Sequence, residues 1–177
     1  MRVVAGRWGG RRIGTPAGEG TRPTSDRVRE ALFSMLASVE GARVLDLFAG
    51  SGALGIEALS RGAAEATFVD SAPRAVRALR DNLGALGASA EVRRADARAF
   101  LRNARTAGRQ YDLVFVDPPY RRGAALAREL AGALPAVLPP GARVVSESDR
   151  RAPLDLGLPI ALERVYGDTL IRIHEPL

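Results

Sequence analysis

From residue 43 onward the sequence alternates short apolar runs with amphipathic stretches, and this alternation restricts the fold more than any other feature. The apolar runs are rich in β-branched residues, as buried strands are. The amphipathic stretches place apolar residues three or four apart, which is the spacing of a helix face. Alternation of this kind predicts an α/β fold with a doubly wound, mostly parallel sheet. We predict strands at 43–48, 66–70, 91–94, 111–117, 143–148, 160–166 and 169–174. We predict helices at 53–61, 73–86, 97–107 and 123–134.

The last two predicted strands are separated only by Gly167 and Asp168. A two-residue connection joins antiparallel strands, so we expect a seven-stranded sheet with an antiparallel edge. A further helix is predicted before the alternation, because Val28, Leu32 and Met35 lie on one apolar stripe that ends before Gly41. We expect a single main domain over residues 21–177, preceded by an extension over residues 1–20.

The extension combines arginines with the only tryptophan of the chain. Two short apolar pieces flank a glycine-rich turn in residues 2–13, which predicts a small β-hairpin. Arginine beside an aromatic ring suits phosphate contacts and stacking on an unpaired base. The alternative for Trp8 is that its ring packs on the main domain. The candidate nucleic-acid-binding residues here are Arg2, Arg7, Trp8, Arg11 and Arg12.

Composition narrows the classes of function. All 26 basic residues are arginine, and the net charge of +6 favours a polyanionic partner. Residues 1–30 hold seven arginines against three acids. Cysteine is absent and His174 is the only histidine, so we expect no thiolate or multi-histidine metal site. No apolar run approaches the roughly 20 residues of a membrane span, and no signal sequence is evident, so we expect a cytoplasmic protein without a membrane partner.

A glycine-rich loop follows the predicted strand 43–48. Gly50, Gly52 and Gly55 match the Gly-x-Gly-x-x-Gly pattern, and Asp70 follows Gly50 by twenty residues. Such a loop lets the backbone approach a nucleotide cofactor, and the later acid binds a ribose diol. Two features favour S-adenosylmethionine over NAD. Asp46 would repel a pyrophosphate but attract an amino or sulfonium charge, and no lysine or suitably placed histidine could act as a hydride-transfer acid.

Two further stretches are candidates for cofactor contacts. Asp96 follows the predicted strand 91–94, where its carboxylate could accept a hydrogen bond from an adenine amine while the backbone N–H of Ala97 reads the ring; it could equally cap the next helix. The helix predicted after Asp26 offers free N–H groups that, with Arg22 and Thr24, could hold a carboxylate, or it is an ordinary capped helix.

The most specific stretch is Asp117-Pro118-Pro119-Tyr120, which ends the predicted strand 111–117. Proline cannot continue a sheet ladder, so the strand ends there, at the edge where open α/β sheets bind ligands. An exocyclic base amine is a poor nucleophile because its lone pair is delocalised. Hydrogen bonds to the carboxylate of Asp117 and the carbonyl of Pro118 would aim that lone pair, and Tyr120 would stack on the base. Asp117 is therefore interpreted as an acceptor and orienter, and not as a strong general base. The alternative is a turn with a buried tyrosine.

The sequence resembles the bacterial 16S rRNA guanine-N2 methyltransferase family of the RsmD type over nearly the whole chain, in the Asp46–Gly52 loop, the Asp117–Tyr120 box, the stretch Thr21–Phe33, the basic N-terminal segment and the Tyr166–Thr169 turn. The resemblance implies a class I, Rossmann-like methyltransferase fold, S-adenosylmethionine as methyl donor and N2 of guanine 966 as target. It also implies 16S rRNA or a partly assembled small subunit as partner; we expect a monomer. One departure is Asp70, where many members carry glutamate.

The site residues expected on these grounds fall into three groups. The catalytic group is Asp117, Pro118, Pro119 and Tyr120. The cofactor-binding group is Asp46, Phe48, Gly50, Gly52, Asp70, Ser71, Asp96, Ala97, Arg22 and Thr24. The nucleic-acid-binding group adds Arg121 and Arg122 to the residues of the extension. No metal ligand is expected.

Two other functions stay open. The Asp-Pro-Pro-Tyr box is shared with DNA adenine-N6 methyltransferases, although a chain of 177 residues leaves little room for a domain that reads duplex DNA. A non-catalytic RNA-binding assembly factor on the same fold is the second alternative. The identity of the target base depends on the resemblance and not on the box.

Overall fold

The computed structural model describes residues 1–16, 25–119 and 123–176. Within these residues, seven strands and five helices alternate as the sequence predicts. The strands are β1 Arg43–Leu47, β2 Glu65–Asp70, β3 Glu91–Arg94, β4 Leu113–Val116, β5 Arg143–Asp149, β6 Ile160–Tyr166 and β7 Thr169–His174. The helices are α1 Asp26–Met35, α2 Ala53–Ser60, α3 Pro73–Leu86, α4 Ala97–Thr106 and α5 Gly123–Ala133. Short 3₁₀ turns occur at Gly6–Trp8 and Leu134–Val137.

The strands form one sheet in the order β3-β2-β1-β4-β5-β7-β6. Strands β1 to β5 are parallel, and β7 is antiparallel to both β5 and β6. This confirms the predicted mostly parallel sheet with an antiparallel edge. Strands β2 and β3 lie on one side of β1, and the chain then crosses to the other side of β1 to form β4. The crevice at the carboxyl ends of β1 and β4 is therefore the position where such sheets bind ligands.

Two apolar cores cover the two faces of the sheet. Helices α1, α2 and α3 pack on one face, where Phe68 and Phe115 are fully buried. Helices α4 and α5 pack on the other face, against Leu45 and Val114. Consecutive strand residues therefore point into different cores, as the two-residue period of a strand requires. Asp46 and Asp117 continue the row of residues on the α1–α3 face.

Strand β4 is shorter than the predicted 111–117 at both ends. The backbone N–H of Tyr111 donates to Val137. The carboxylate of Asp112 accepts hydrogen bonds from the backbone and guanidinium of Arg43, at 2.8 to 2.9 Å. At the other end, Pro118 has no N–H to continue the ladder.

The predicted N-terminal β-hairpin is not confirmed as a pair of strands. The segment forms one antiparallel bridge, Arg2 with Arg12, around the 3₁₀ turn. A longer ladder is prevented because the backbone N–H groups of Val4 and Ala5 donate to the carboxylate of Glu57 on α2, at 2.7 and 3.0 Å. The segment thus bonds to helix α2 in place of extending its own pairing.

Helix α2 is buried along nearly its whole length, from Leu54 to Ser60. The sheet covers one side of this helix, and the N-terminal segment covers the other through Val3, Trp8 and Ile13, which belong to the same core. Among the helices that the structure describes, none is long and apolar enough to cross a membrane.

Candidate cofactor and substrate site

The loop between β1 and α2 has a backbone that only a few residue types tolerate. Phe48, Gly50 and Gly52 have φ angles of 65°, 55° and 82°. The positive φ of Phe48 is uncommon for a residue with a side chain and indicates a conformation held by its surroundings. Nothing lies within 4 Å of the position that a Cβ on Gly50 would occupy, so this part of the loop is open to a ligand.

The other two glycines have a packing role. A Cβ on Gly52 would lie 2.3 Å from Cδ1 of Leu79, and a Cβ on Gly55 would lie 2.3 Å from Cε1 of Phe68. Both distances are far below van der Waals contact. These glycines therefore let α2 lie close to α3 and the sheet, and Gly50 alone leaves open space for a ligand.

Asp46 lies beneath this loop, at 2 % exposure. Its Oδ2 accepts a 2.9 Å hydrogen bond from the backbone N–H of Gly55. Burial raises the pKa of Asp46 to about 8, the hydrogen bond from Gly55 opposes that shift, and the negative charge of Asp70 adds to it. A cation beside Asp46 would favour the ionised carboxylate.

Asp70 ends β2 and joins two loops of the site. Its Oδ2 accepts from the N–H of Gly50 at 2.9 Å, and its Oδ1 accepts from the N–H of Ala72 at 2.8 Å. The neighbouring Ser71 is exposed. Asp70 therefore fixes the peptide group of Gly50 and is partly exposed at the carboxyl edge of the sheet, where the sequence predicts a ribose contact.

Asp96 is the N-cap of α4. One of its oxygens accepts from the N–H groups of Arg98 and Ala99, at 3.0 and 3.2 Å. The side chain of Arg98 also bonds to Asp96, and this pairing is the main reason that the pKa of Asp96 is lowered. The capping role left open by the sequence is thus present in the structure. Asp96 is exposed and the next residue, Ala97, is buried.

Asp117 follows the last residue of β4. Val116 pairs with Ser146 of β5, so Asp117 lies next to Glu147. Asp46, Asp117 and Glu147 occupy the same face of three neighbouring strands. Burial raises the pKa of Asp117 well above its ordinary range, and the negative charges of Glu147 and then Asp46 add to the effect.

The rest of the predicted catalytic box is only partly described. Pro118 is buried and Pro119 is exposed. Tyr120, Arg121 and Arg122 lie outside the described residues, as do the predicted cofactor contacts Arg22 and Thr24. The structure brings the other predicted cofactor residues to the carboxyl edge of β1, β2 and β3, and Asp117 to the same edge of β4.

The arginines of the N-terminal segment differ in their surroundings. Arg2 and Arg12 are exposed and are cross-strand neighbours. Arg11 donates to the carbonyl of Ala85 at the end of α3, at 2.6 Å. The guanidinium of Arg7 lies 3.9 Å from the ring centroid of Trp8, which is only 8 % exposed. Of the two alternatives for Trp8, the structure shows packing in the core, so its ring is not offered to an unpaired base.

Sequence reasoning missed several polar residues that are buried in or beside the site. Arg29 of α1 is fully buried and bonds to Asp26 at 2.7 Å, so it adds no positive charge to the surface. Burial lowers the pKa of Arg29. Glu147 of β5 and Asn82 of α3 are also buried. The available signal was position, because a polar residue on the apolar face of a predicted element needs a buried partner. In the described part of the chain, no group of three or more histidine, cysteine or acidic residues is arranged to hold a metal ion.

Comparison with known proteins identifies the family and the fold. The model of the family described as Conserved hypothetical protein 95 matches residues 1–175. "Ribosomal RNA small subunit methyltransferase D" of Escherichia coli strain K12 is 48% identical over 125 residues, 70% of this chain and 62% of that protein. The matched region thus spans less than two thirds of the length of that relative.

Solved structures extend the likeness to the whole fold. A structure described as "Putative methyltransferase yhhF from Escherichia coli" has a TM-score of 0.84 and 39% identity, covering 100% of this chain and 99% of that one. A putative methyltransferase complexed with SAH has a TM-score of 0.68 at 17% identity, over 84% of this chain and 48% of that one, and shares the fold. The expected methyltransferase fold is confirmed. The family expected from the sequence is confirmed as well, and the chain belongs to the family described as Conserved hypothetical protein 95.

Proposed function

We propose that this protein is an S-adenosylmethionine-dependent methyltransferase that transfers a methyl group to N2 of a guanine in 16S rRNA, guanine 966 by family resemblance. It acts in the cytoplasm as a monomer, on rRNA or on an assembling small subunit. One observation carries the proposal: Asp117 and the loop above Asp46 meet at the crevice between β4 and β1. An acceptor for a base amine thus lies beside a nucleoside-binding loop. The name of the Escherichia coli relative supports rRNA as the substrate.

The residues of the loop fit the proposed cofactor. When bound, S-adenosylmethionine supplies a methyl group on a positively charged sulfur. Gly50 leaves open space above the loop, and Asp70 holds the loop in one conformation through the N–H of Gly50. Asp46 and Asp117 are carboxyl groups near the crevice, and a cation bound there would favour their ionised forms and so lower their pKa values. Asp96 and the N–H of Ala97 are the proposed contacts to the adenine ring.

Asp117 acts on the nucleophile. Its carboxylate and the carbonyl of Pro118 accept the two hydrogens of the exocyclic amine, which directs the nitrogen lone pair away from both acceptors. Holding the amine in line with the methyl group supplies much of the rate acceleration. Tyr120 stacks on the base and keeps it in position. After transfer, the methylated nitrogen loses its extra proton to Asp117 or to water.

The N-terminal segment is the proposed RNA contact. Arg2 and Arg12 are directly opposite each other across the bridge, which places two like charges side by side. Neither forms an ion pair with an acid within the described residues. A phosphate between them would relieve their repulsion, which favours an RNA backbone as partner.

The test is methyl transfer from S-adenosylmethionine with a labelled methyl group to three substrates: free 16S rRNA, small subunits that lack the modification, and duplex DNA. We expect label in rRNA or subunits, in the N2-methylguanosine fraction. Label in DNA alone would instead identify an adenine-N6 methyltransferase. If calorimetry with the wild-type protein detects no binding of S-adenosylmethionine, the protein is a non-catalytic RNA-binding factor. Mass spectrometry of rRNA from a strain that lacks the gene identifies the nucleotide.

A further inference from the structure

Asn82 of α3 connects two parts of the molecule that are far apart in sequence. Its Oδ1 accepts from the N–H of Gly14 at 2.7 Å, and its Nδ2 donates to the carbonyl of the same residue at 2.9 Å. The second hydrogen of Nδ2 goes to the carbonyl of Ser51 in the cofactor loop, also at 2.9 Å. All the donors of the side-chain amide, and one acceptor position, are therefore used.

The burial of Asn82 and Ser51 raises the free-energy cost of breaking the hydrogen bond between them. Asn82 is 6 % exposed and Ser51 is 8 % exposed. A buried carbonyl that loses its donor pays the full cost of its lost solvation, so the carbonyl of Ser51 cannot leave Asn82 without penalty, whereas Gly14 is exposed.

The bond to Ser51 completes the fixation of the cofactor loop. The N–H of Gly50 is held by Asp70, and the N–H of Gly52 donates to the carbonyl of Ala49 at 2.7 Å. The carbonyl of Ser51 lies between them, and Asn82 is its side-chain partner. Both glycines have positive φ angles and large conformational freedom, so each fixed peptide group reduces the entropy lost on ligand binding.

We propose that Asn82 is a positioning residue for the cofactor: it holds the glycine loop in its binding conformation and uses the N-terminal segment as the support. This inference rests on the proposed function, since it concerns affinity for S-adenosylmethionine and its product S-adenosylhomocysteine. It assigns the N-terminal segment a second role besides RNA contact, because Gly14 forms part of the structure that keeps the loop in place.

The experiment compares Asn82→Ala and the isosteric Asn82→Asp with Ser60→Ala. Ser60 is the matched control because it also fastens the N-terminal segment, through Trp8 N–H at 3.0 Å and the carbonyl of Ala5, without contacting the cofactor loop. We expect both Asn82 variants to bind S-adenosylhomocysteine about ten-fold more weakly by calorimetry. Ser60→Ala should bind it as wild type does. In turnover, the KM for S-adenosylmethionine should rise in the Asn82 variants while kcat at saturation is retained.

Hydrogen exchange of the backbone amides of Gly50 and Gly52 gives a readout that does not need the ligand. These amides should exchange faster in the Asn82 variants than in Ser60→Ala. The comparison is made under conditions in which the variants have the same free energy of unfolding. If Ser60→Ala weakens binding equally, the effect is a general loosening of the fold and the proposal is wrong. Wild-type affinity in both Asn82 variants also overturns it. If the wild-type protein fails to bind S-adenosylhomocysteine, the proposed function fails together with this inference.

Discussion

Asp117 accepts more strongly from the substrate amine, and can take up its proton, only when it is ionised, and its surroundings oppose ionisation. Burial and the charges of Glu147 and Asp46 raise its pKa. We therefore predict that kcat/KM for S-adenosylmethionine decreases toward acid pH, with a midpoint above the value of about 3.9 for a free aspartate. The measurement is the pH profile of methyl transfer over the range in which the protein stays folded.

Two substitutions distinguish the negative charge of Asp117 from its ability to accept a hydrogen bond. Asp117→Asn keeps an acceptor oxygen on a group that does not titrate. We therefore expect reduced activity that no longer decreases toward acid pH. Asp117→Ala removes the acceptor and should lower kcat by roughly 100-fold or more, as misplacement of a reacting group does. Affinity for S-adenosylhomocysteine should stay near wild type in both. Full turnover by Asp117→Ala would refute the role given to this residue.

Asp46 gives a prediction about stability, because its folded pKa is about 8 and its unfolded value is about 3.9. Between these two pH values the unfolded state has lost the proton while the folded state still holds it. The folded state therefore loses stability as pH rises from about 4 to about 8, on the order of 1 kcal/mol per pH unit from this residue, and no further above that. Asp46→Asn keeps the acceptor for Gly55 N–H and should remove this slope. Chemical denaturation at several pH values, without cofactor, measures the unfolding free energy of both proteins. If it changes with pH equally in the wild type and in Asp46→Asn, the raised pKa of Asp46 is contradicted.

At the scale of elements, Gly55 sets how closely α2 approaches the sheet. Gly55→Ala would place a methyl group 2.3 Å from the fully buried ring of Phe68, so we predict a loss of about 1–3 kcal/mol of unfolding free energy. Gly84 of α3 is the control, because nothing lies within 4 Å of its Cβ position. Gly84→Ala should stabilise by about 0.5–1 kcal/mol through helix propensity. Urea denaturation measures the unfolding free energy of both variants. If Gly84→Ala also destabilises the protein, the loss in Gly55→Ala cannot be attributed to the contact with Phe68.

The sequence predicted elements best where a local pattern determines them. The spacing of Val76, Leu79 and Leu83, with Pro73 at the first turn, predicted α3 with its observed bounds. The start of strand β4 was predicted too early, because the backbone N–H of Tyr111 donates to Val137, a partner far away in sequence. Periodicity states which face of an element is buried, and it does not state which polar groups will pair there.

At the scale of the whole molecule, the sequence predicted the doubly wound, mostly parallel sheet, and it placed the candidate site at the carboxyl edge of that sheet. It did not predict that the N-terminal segment belongs to the core. The reason is that no local pattern identifies the partners of Glu57 and Ser60 on α2 or of Asn82 on the buried face of α3. Their partners are backbone groups of residues 4 to 14, and backbone groups leave no trace in a sequence pattern.

The position of the N-terminal segment places its exposed charges on the same side of the sheet as Asp117, which leads to a prediction about RNA affinity. Removing one arginine that binds a phosphate reduces the slope of log affinity against log salt concentration by about 0.7 to 0.9. Arg2→Gln with Arg12→Gln should therefore weaken binding to 16S rRNA and flatten the slope by about 1.5, in filter-binding titrations at several salt concentrations.

The double variant Arg102→Gln with Arg105→Gln is the matched control for this experiment. It removes the same charge from exposed positions of α4, on the opposite face of the sheet. If long-range attraction by the net charge of the protein caused the binding, both double variants would weaken it alike, because neither location would matter. If the N-terminal arginines bind phosphates directly, the effect depends on where the charge is removed. The α4 variant should then keep the wild-type slope of log affinity against log salt concentration. Equal slopes in the two double variants would show that the N-terminal arginines attract RNA without contacting it.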